Sequence, residues 1–213
     1  MIAGIILAAG SARRMGRIKQ LLPLGGKSMV WQVANIACQS KIDQVILVTG
    51  AYRDETAAAV GDLDLSIVNN PTWQDGQAGS LKTGLQSLPD TVEAVMFLLA
   101  DQPMLTPGLI NALIDKYHCC GQSIICPSYN NKRGNPVLFG WKSWKTSLNA
   151  LQGDRGARQV IADNPGSVAF VPVDSVDIFC DVDTEEDYKK MCELFCKKAL
   201  TPDCGTKTNH RLY

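Results

Sequence analysis

The first candidate for chemistry is a cluster of positive side chains near the start of the chain. Residues 2–9 are almost all apolar and predict a strand, and Gly10 follows it directly. Four cationic side chains come shortly afterwards: Arg13, Arg14, Arg17 and Lys19. Small residues at a strand end let a ligand approach the backbone, and the cations beyond them suit a polyphosphate. The alternative is a long surface loop with ordinary solvated arginines.

Acidic side chains follow two of the predicted strands. Asp101 comes directly after the apolar run Ala94–Ala100, which is typical of a strand buried on both faces. Asp181 and Asp183 follow a short strand predicted over 177–180. Ligands of open α/β folds bind at the carboxyl edge of the sheet, where carboxylates suit Mg²⁺. We therefore predict Asp101 and Asp181 as metal ligands, with Asp183 either a further ligand or a helix cap.

A glycine-containing loop between a predicted strand and a predicted helix is the third candidate. It covers residues 69–81 and contains Gly76 and Ser80. Ser80 is expected to cap a helix that ends near Leu88, since Pro89 stops it. Backbone amides and the Ser80 hydroxyl in such a loop are able to read the edge of a nucleobase. The alternative is a connecting loop that only caps a helix.

Two common nucleotide-binding motifs are absent. Gly25-Gly26-Lys27-Ser28 resembles the end of a P-loop, but Leu21 stands where the first glycine of that motif belongs. We interpret this segment as a tight turn with a helix cap at Ser28. The G-x-G-x-x-G fingerprint is also absent, which argues against an NAD enzyme.

The histidines and cysteines offer little chemistry. His118 is expected at the end of a helix, where it complements the helix dipole, and His210 lies near the C-terminus, so a histidine base is disfavoured. The eight cysteines form no C-x-x-C pair. Cys192 and Cys196 share one face of a predicted helix and could bind a metal there. The alternative is small apolar thiols in a reducing cytosol.

The bulk composition is that of an ordinary globular protein. The 213 residues carry 21 basic and 21 acidic side chains, and this balance favours neither a nucleic acid nor a membrane surface as partner. No apolar run reaches the roughly 20 residues of a membrane-spanning helix. The N-terminus lacks the features of a signal peptide, so a cytoplasmic location is expected.

The order of the predicted elements indicates the fold class. Strands and helices alternate, which predicts an α/β fold with a mostly parallel sheet covered on both faces. The turn residues within 129–139 predict a small antiparallel hairpin insertion. We expect one domain over residues 1–200 and an irregular tail over residues 201–213.

Several segments together resemble a known family. Leu7-Ala8-Ala9-Gly10, followed by Arg14-Met15-Gly16 and Lys19, is similar to the signature loop of the nucleotidyltransferases related to the molybdenum cofactor enzymes, above all the cytidylyltransferases. Further matches follow in family order: Asn70-Pro71 with Trp73, Gly76, Ser80 and Leu81; Leu99-Ala100-Asp101-Gln102-Pro103; Gly134-Asn135-Pro136; Gly153-Asp154-Arg155-Gly156-Ala157-Arg158; and Asp181-Val182-Asp183-Thr184. Two positions depart from the pattern, Ala12 in place of a serine and Glu185 in place of a common proline, and neither removes a needed charge.

The resemblance implies a Rossmann-like three-layer nucleotidyltransferase fold, a Mg²⁺-dependent reaction and roles for individual residues. The implied catalytic residues are Arg14, Lys19 and Asp101. The implied metal ligands are Asp101, Asp181 and Asp183. The implied nucleotide-binding residues are Leu7, Ala8, Ala9, Gly10, Lys19, Asn70, Gly76, Ser80 and Leu81. The implied acceptor-binding residues are Gly134, Asn135, Pro136, Arg155 and Arg158.

The resemblance also implies the substrates. CMP would pass from CTP to the phosphate of molybdopterin. The guanylyl branch usually has glycine where this chain has Ala9, and a methyl group there narrows the space for a purine, which favours CTP over GTP. A guanylyltransferase that uses GTP stays open, as does a sugar phosphate or methylerythritol phosphate as acceptor. A hypothesis of another class is a non-catalytic protein that binds the cofactor and passes it to a molybdenum hydroxylase client.

Overall fold

A computed structural model describes residues 1–11, 15–154 and 156–200, with side chains described as far as residue 197. The strands are β1 Ile2–Leu7, β2 Pro23–Leu24, β3 Lys27–Ser28, β4 Gln44–Thr49, β5 Ser66–Asn69, β6 Ala94–Leu99, β7 Ile124–Tyr129, β8 Lys132–Arg133, β9 Val137–Gly140 and β10 Val168–Pro172. The helices are α1 Met29–Cys38, α2 Arg53–Ala59, α3 Gln77–Gln86, α4 Pro107–Cys120, α5 Trp141–Asn149, α6 Arg158–Asp163 and α7 Glu185–Leu200.

The central sheet is mixed but mostly parallel. Its strands lie in the order β10-β7-β9-β6-β1-β4-β5, with β8 paired to β7. Neighbours β6, β1, β4 and β5 are all parallel, while β9 is antiparallel to both β6 and β7. Leu7 pairs with Val48 on one side and Leu99 on the other, so the carboxyl ends of β1, β4 and β6 meet at one edge. The predicted α/β class is confirmed.

The central strands are buried on both faces because side chains alternate along each strand. Ile6 and Leu98 pack on one face, against apolar residues of α1 and α4. Ile5 and Phe97 pack on the other, against residues of α3, α5 and α6. Complete burial of each large apolar side chain contributes about 1.5–3 kcal/mol, so the sheet edge is a rigid base for a site.

The C-terminal helix α7 packs against the loop region that follows β1. Val182 and Met191 join Leu22 and Leu24 in a third apolar cluster. The Tyr188 hydroxyl donates a hydrogen bond to the Pro23 carbonyl. On the surface, the Arg17 guanidinium lies 3.2 Å from the Glu185 carboxylate. The region after β1 and the C-terminal helix α7 are therefore packed together.

Two local expectations were wrong. Residues 176–179 form a 3-10 turn rather than a strand, because the Ser175 hydroxyl accepts from the Asp177 amide and the Cys180 amide donates to the Asp177 carbonyl. Ser80 is not a helix cap: α3 begins at Gln77, and Ser80 is buried within it. The predicted cap of α1, by contrast, is confirmed, because the Ser28 hydroxyl accepts from the Trp31 amide.

Among the described helices, none combines the length and apolar character that crossing a bilayer requires. All seven cysteines in the described part of the chain are free thiols. The expected tail over residues 201–213 lies outside the described residues.

Candidate active site

A cleft of about 830 Å³ opens at the carboxyl edge of β1 and β6. Its floor is the end of these two strands, where residues 7–10 and 99–101 line the cavity. One side is closed by the segment from Trp73 into α3, and the other by residues of β9 and α6. The predicted position of the site, beyond the carboxyl ends of parallel strands, is the position of this cleft.

Three charged side chains meet at one end of the cleft, and we call Lys19, Asp101 and Asp183 the charged end. The Lys19 ammonium lies 2.7 Å from Oδ2 of Asp101 and 2.9 Å from Oδ1 of Asp183. The Lys19 and Asp101 side chains are about one-fifth exposed, at 21% and 20%. The three residues are far apart in sequence, so it is the fold that brings them together.

Backbone hydrogen bonds hold the two acidic segments together. The Val182 amide donates to the Asp101 carbonyl at 3.2 Å, which places Asp183 beside Asp101. The Gln102 amide group, buried directly after Asp101, donates to the Phe179 carbonyl at 3.5 Å. The start of α7 is capped by Thr184. The Asp183 side chain, which could have served as that cap, points to Lys19 instead.

Gln20 fixes the backbone beside Lys19. Its side chain is buried, and its amide nitrogen lies 3.4 Å from the carbonyls of both Ala8 and Gly10. Lys19 itself begins the 3-10 turn Lys19–Leu21. The backbone that carries Lys19 is therefore tied to the end of β1, while its four-carbon side chain keeps its own rotatable bonds.

The electrostatics of the charged end favour a further cation. Although burial on its own lowers the pKa of Lys19, the charge of Asp101 and the hydrogen bonds to Asp101 and Asp183 raise it above its usual value. Within the described part of the chain, Oδ1 of Asp101 is buried without a hydrogen-bond partner. A buried carboxylate oxygen without a partner is costly, and a divalent cation would satisfy it.

The donor set fits a catalytic metal better than a structural one. Among the described residues, no group of three or more His, Cys, Asp or Glu side chains is placed to hold a metal ion. Mg²⁺ typically takes one or two protein carboxylates and completes its shell with water and substrate phosphates. Asp101 and Asp183 match that pattern.

The other end of the cleft is built from closely packed loops, and we call Gly76, Gly153 and Gly156 the glycine end. Gly76 has φ of +103°, which L side chains rarely adopt. A Cβ atom on Gly76 would lie 2.6 Å from the Gly153 backbone and from Oδ1 of Asp154. A Cβ atom on Gly156 would lie 2.6 Å from Oε1 of Gln77. The Ala78 amide donates to the Gly153 carbonyl at 3.0 Å, so the two loops are in direct contact.

The predicted nucleotide-binding residues surround the cleft with one exception. Asn70 does not line it. It is buried and donates from Nδ2 to the Ser80 hydroxyl at 3.0 Å, while its Oδ1 accepts from the Thr72 amide. Asn70 therefore positions Ser80 and the loop. Besides Lys19, the predicted residues that line the cavity are Leu7, Ala8, Ala9, Gly10, Gly76, Ser80 and Leu81.

Ala9 and Trp73 form part of the wall near the glycine end. Ala9 is 6% exposed and lines the cleft with Trp73. Gly50 lies between them: a Cβ atom there would approach the Cβ atoms of both residues to 2.8 Å. The methyl group of Ala9 is therefore packed closely against Gly50.

Only some of the predicted acceptor residues line the cleft. Asn135 and Arg158 line the cleft. Gly134 and Pro136 do not; Gly134 lies under the ring of Phe179, and the Asn135–Pro136 peptide bond is cis. The Arg158 carbonyl accepts from the Arg133 guanidinium at 3.2 Å.

The remaining predicted site residues are Arg14, Arg155 and Asp181. Arg14 and Arg155 lie outside the described residues. Asp181 is exposed and does not line the cavity, whereas Asp183 does. Asp183 meets Lys19, and the neighbouring Val182 amide is bonded to the Asp101 carbonyl.

Sequence reasoning missed several residues that build the site. Gln20 and Gln102 are buried polar side chains that position the charged end. Trp73 and Asp154 line the cleft directly. The positions of Gln102, Trp73 and Asp154 within the motifs were the available signal. Gln20, directly after Lys19, had none.

A mixed sheet with helices on both faces and a cation-bearing cleft at its carboxyl edge is the architecture of a nucleotide-binding α/β protein. The comparison with family models makes the class specific. The model of the MobA-like NTP transferase domain matches residues 4–168, and the chain belongs to this family.

Individual relatives that cover most of the chain differ in name. The nicotine blue oxidoreductase of Paenarthrobacter nicotinovorans is 27% identical over 198 residues, covering 89% of this chain and 96% of that protein. The molybdenum cofactor cytidylyltransferase of Escherichia coli K12 is 25% identical over 185 residues, covering 86% and 92%.

Solved structures share the fold. The Mycobacterium sp. strain JC1 homologue of Rv0371c is 32% identical, has a TM-score of 0.82, and the match covers 92% of this chain and 97% of that one. Rv0371c of Mycobacterium tuberculosis in complex with manganese is 27% identical, with a TM-score of 0.75 and coverage of 90% and 98%.

Proposed function

We propose that this protein is a Mg²⁺-dependent cytidylyltransferase that transfers CMP from CTP to the phosphate of molybdopterin carrying molybdenum. The observation that carries the proposal is the charged end, where Lys19 bridges Asp101 and Asp183 at one end of a cleft of about 830 Å³. A cleft of this size accommodates a nucleotide and part of an acceptor.

Asp101 and Asp183 are the residues that would hold Mg²⁺. When bound, the ion would neutralise charge on the triphosphate and orient its α-phosphate. The resemblance also names Asp181 as a ligand; its exposed position makes Asp101 and Asp183 the better pair.

The reaction needs no general base. An oxygen of the acceptor phosphate is already anionic, and it forms the new bond to the α-phosphorus while the bond from that phosphorus to the bridging oxygen breaks and pyrophosphate leaves. In the described part of the chain the only histidine, His118, lies near the end of α4 and does not line the cleft. Catalysis would come from alignment and from neutralising negative charge, as in phosphoryl transfer generally.

Lys19 would stabilise the departing pyrophosphate, together with Arg14 as the resemblance implies. Residues 8–10 of the cleft wall are small, so the nucleotide would lie close to their backbone. Ser80, held by Asn70, would contact the base.

The acceptor would lie at the opposite wall of the cleft. Arg158 and Asn135 line that wall and would meet the anionic acceptor there. Arg155, as the resemblance implies, would add a further positive charge.

The preference for CTP depends on Ala9. Its buried methyl group takes up space at the wall of the cleft, and Gly50 and Trp73 pack around it. A purine needs more room than a pyrimidine in the same position. The proposal therefore predicts CTP as the better donor.

Pyrophosphate release tests the function. The purified protein is incubated with each nucleoside triphosphate and Mg²⁺, with and without molybdenum-loaded molybdopterin. The expected result is release from CTP that depends on both the metal and the acceptor. Release from GTP but not from CTP would overturn the Ala9 argument. No release from any triphosphate would favour a protein that binds the cofactor for a molybdenum hydroxylase client without turnover.

A further inference from the structure

The position of the Lys19 ammonium bears on how the site is loaded. Its nitrogen lies between Asp101 and Asp183, within 2.9 Å of one oxygen of each. These are the carboxylates proposed above to hold Mg²⁺. We propose that Lys19 is a placeholder cation: it occupies the metal site in the nucleotide-free protein, and a divalent ion displaces it toward the phosphates of the nucleotide. This inference rests on the proposed function.

The placeholder has a clear electrostatic reason. Asp101 and Asp183 are brought together by the backbone hydrogen bond between Val182 and Asp101. Two carboxylates held this close repel each other unless a positive charge lies between them. The Lys19 ammonium supplies that charge, and one oxygen of each carboxylate points to it. The site is thus preformed before metal or nucleotide arrives.

A metal ion and the ammonium compete for this point. Mg²⁺ binds oxygen at about 2.0–2.1 Å and demands near-ideal octahedral geometry. The ammonium approaches the same pair of carboxylates at 2.7 and 2.9 Å, so an ion that bridges them would overlap it. Even an ion held by the unpartnered Oδ1 of Asp101 would place like charges a few ångströms apart. Binding of the metal therefore moves Lys19 away.

The cleft gives Lys19 a place to go. The backbone at Lys19 stays fixed because Gln20 ties it to the carbonyls of Ala8 and Gly10. The side chain alone has to move, and it lines the same cavity as Gly10 and Ser11. A triphosphate lying against this backbone puts negative charge where the displaced ammonium needs it. Metal and nucleotide therefore each make the other's binding easier.

The coupling has a measurable consequence that runs against the usual effect of removing an active-site residue. In the nucleotide-free protein, removing Lys19 removes the metal's competitor. Lys19→Met keeps the length of the side chain and loses the charge. We expect it to bind Mn²⁺, used as the probe, about tenfold more tightly than the unaltered protein, which corresponds to a coupling free energy of ordinary size.

The experiment is a Mn²⁺ titration of the nucleotide-free full chain, with free Mn²⁺ followed by electron paramagnetic resonance. Lys27→Met is the matched control, because Lys27 is also a lysine in an ion pair, with Asp62 at 2.8 Å, but lies on the surface away from the cleft. It should bind Mn²⁺ like the unaltered protein. Lys19→Arg keeps the charge and should keep the competition. Equal or weaker Mn²⁺ binding by Lys19→Met, with a native circular dichroism spectrum, overturns the proposal.

A second measurement covers the case in which Lys19→Met folds poorly. Mn²⁺ should raise the melting temperature of Lys19→Met more than that of the unaltered protein, because it replaces the missing charge between two carboxylates. An equal rise in both proteins contradicts the placeholder role.

The placeholder role of Lys19 and the proposed function are distinguished by different measurements. If Lys19→Met binds Mn²⁺ more tightly but the protein releases no pyrophosphate from CTP, the placeholder stands and the proposed function fails. If pyrophosphate is released and Mn²⁺ affinity does not rise, the proposed function stands and the placeholder fails.

Discussion

The two ends of the cleft are held together by different means. At the charged end, three ionised side chains from distant parts of the chain meet through ion pairs of 2.7 and 2.9 Å. At the glycine end, two loops meet through backbone, and the absence of side chains at Gly76 and Gly156 allows the contact. The first is an assembly of charges that is able to rearrange, and the second is a close fit that is not.

This difference suits the two tasks of a transferase site. Charges must move as phosphates bind, react and leave, so long side chains on a fixed backbone are appropriate there. A base and an acceptor must be held in one orientation, so rigid loops are appropriate at the other end. Variants at the charged end should therefore lose turnover, and variants at the glycine end should lose stability.

The largest effect is expected at the charged end. Lys19→Met should reduce the turnover of CTP about 10²-fold or more, because it removes a cation that stabilises the departing pyrophosphate. The measurement is the steady-state rate of pyrophosphate release at saturating CTP and Mg²⁺. Lys27→Met, on the surface, should retain full turnover. A Lys19→Met protein with unchanged turnover would falsify the role of Lys19.

The next effect is expected at the glycine end and on stability. Gly76→Ala places a Cβ atom 2.6 Å from the Gly153 backbone at a φ of +103°. Steric overlap with backbone and a strained φ should together cost about 2 kcal/mol of unfolding free energy. Urea denaturation measures it. Gly166→Ala is the control, because a Cβ atom there has nothing within 4 Å. Equal stability of the two variants would show that the loops are not closely packed.

A third test distinguishes the two acids before α7. Asp183→Asn should weaken Mn²⁺ binding in the presence of CTP about tenfold, because a neutral amide is a poorer ligand than a carboxylate. Asp181→Asn should weaken it less, since Asp181 is exposed outside the cleft. Calorimetric titration gives both affinities. A larger loss of Mn²⁺ affinity in Asp181→Asn than in Asp183→Asn would indicate that Asp181, which the sequence pattern favoured, is the metal ligand.

The smallest effect concerns pH. The pKa of Lys19 is raised above its ordinary value of 10.5 in the folded protein, so the Lys19 bridge contributes stability that is fully present below that value and is lost as pH rises through the higher pKa of the folded protein. The difference in unfolding free energy between the unaltered protein and Lys19→Met should therefore be constant from about pH 6 to 9 and shrink above pH 10. Denaturation at a series of pH values measures it. A difference that already shrinks near pH 8 would contradict the raised pKa.

The sequence predicts the charged end better than the glycine end. The loop after β1 and Asp101 after β6 follow from one rule, because parallel neighbours end at the same edge of a sheet. Asp183 could not be chosen over Asp181, because its place beside Asp101 depends on the bond from the Val182 amide to the Asp101 carbonyl, which are far apart in sequence. The turn at 176–179, where a strand was expected, is set by bonds from the Asp177 amide to the Ser175 hydroxyl and from the Cys180 amide to the Asp177 carbonyl.

The contact at the glycine end depends on residues that no local pattern connects. In sequence, β6 to β9 lie between Gly76 and Gly153, and neither sequence segment indicates that the two loops touch. Ser80 shows the same limit on a smaller scale. A serine near the start of a helix predicts a cap, but here the helix begins at Gln77 and Asn70 holds the serine hydroxyl inside it. Helix-cap propensity depends on residues nearby in sequence, whereas the contacts of Gly76 and Ser80 depend on residues that only the fold brings near.

The packing of α7 against the region after β1 has a consequence for the way the protein is made. A ribosome releases Lys19 and Asp101 long before Asp183 and the helix that carries Tyr188 and Met191. Until that segment emerges, the nascent chain has Lys19 and Asp101 but neither the second carboxylate nor the helix that packs against the region after β1. A chain that terminates before Asp183 therefore lacks the complete charged end.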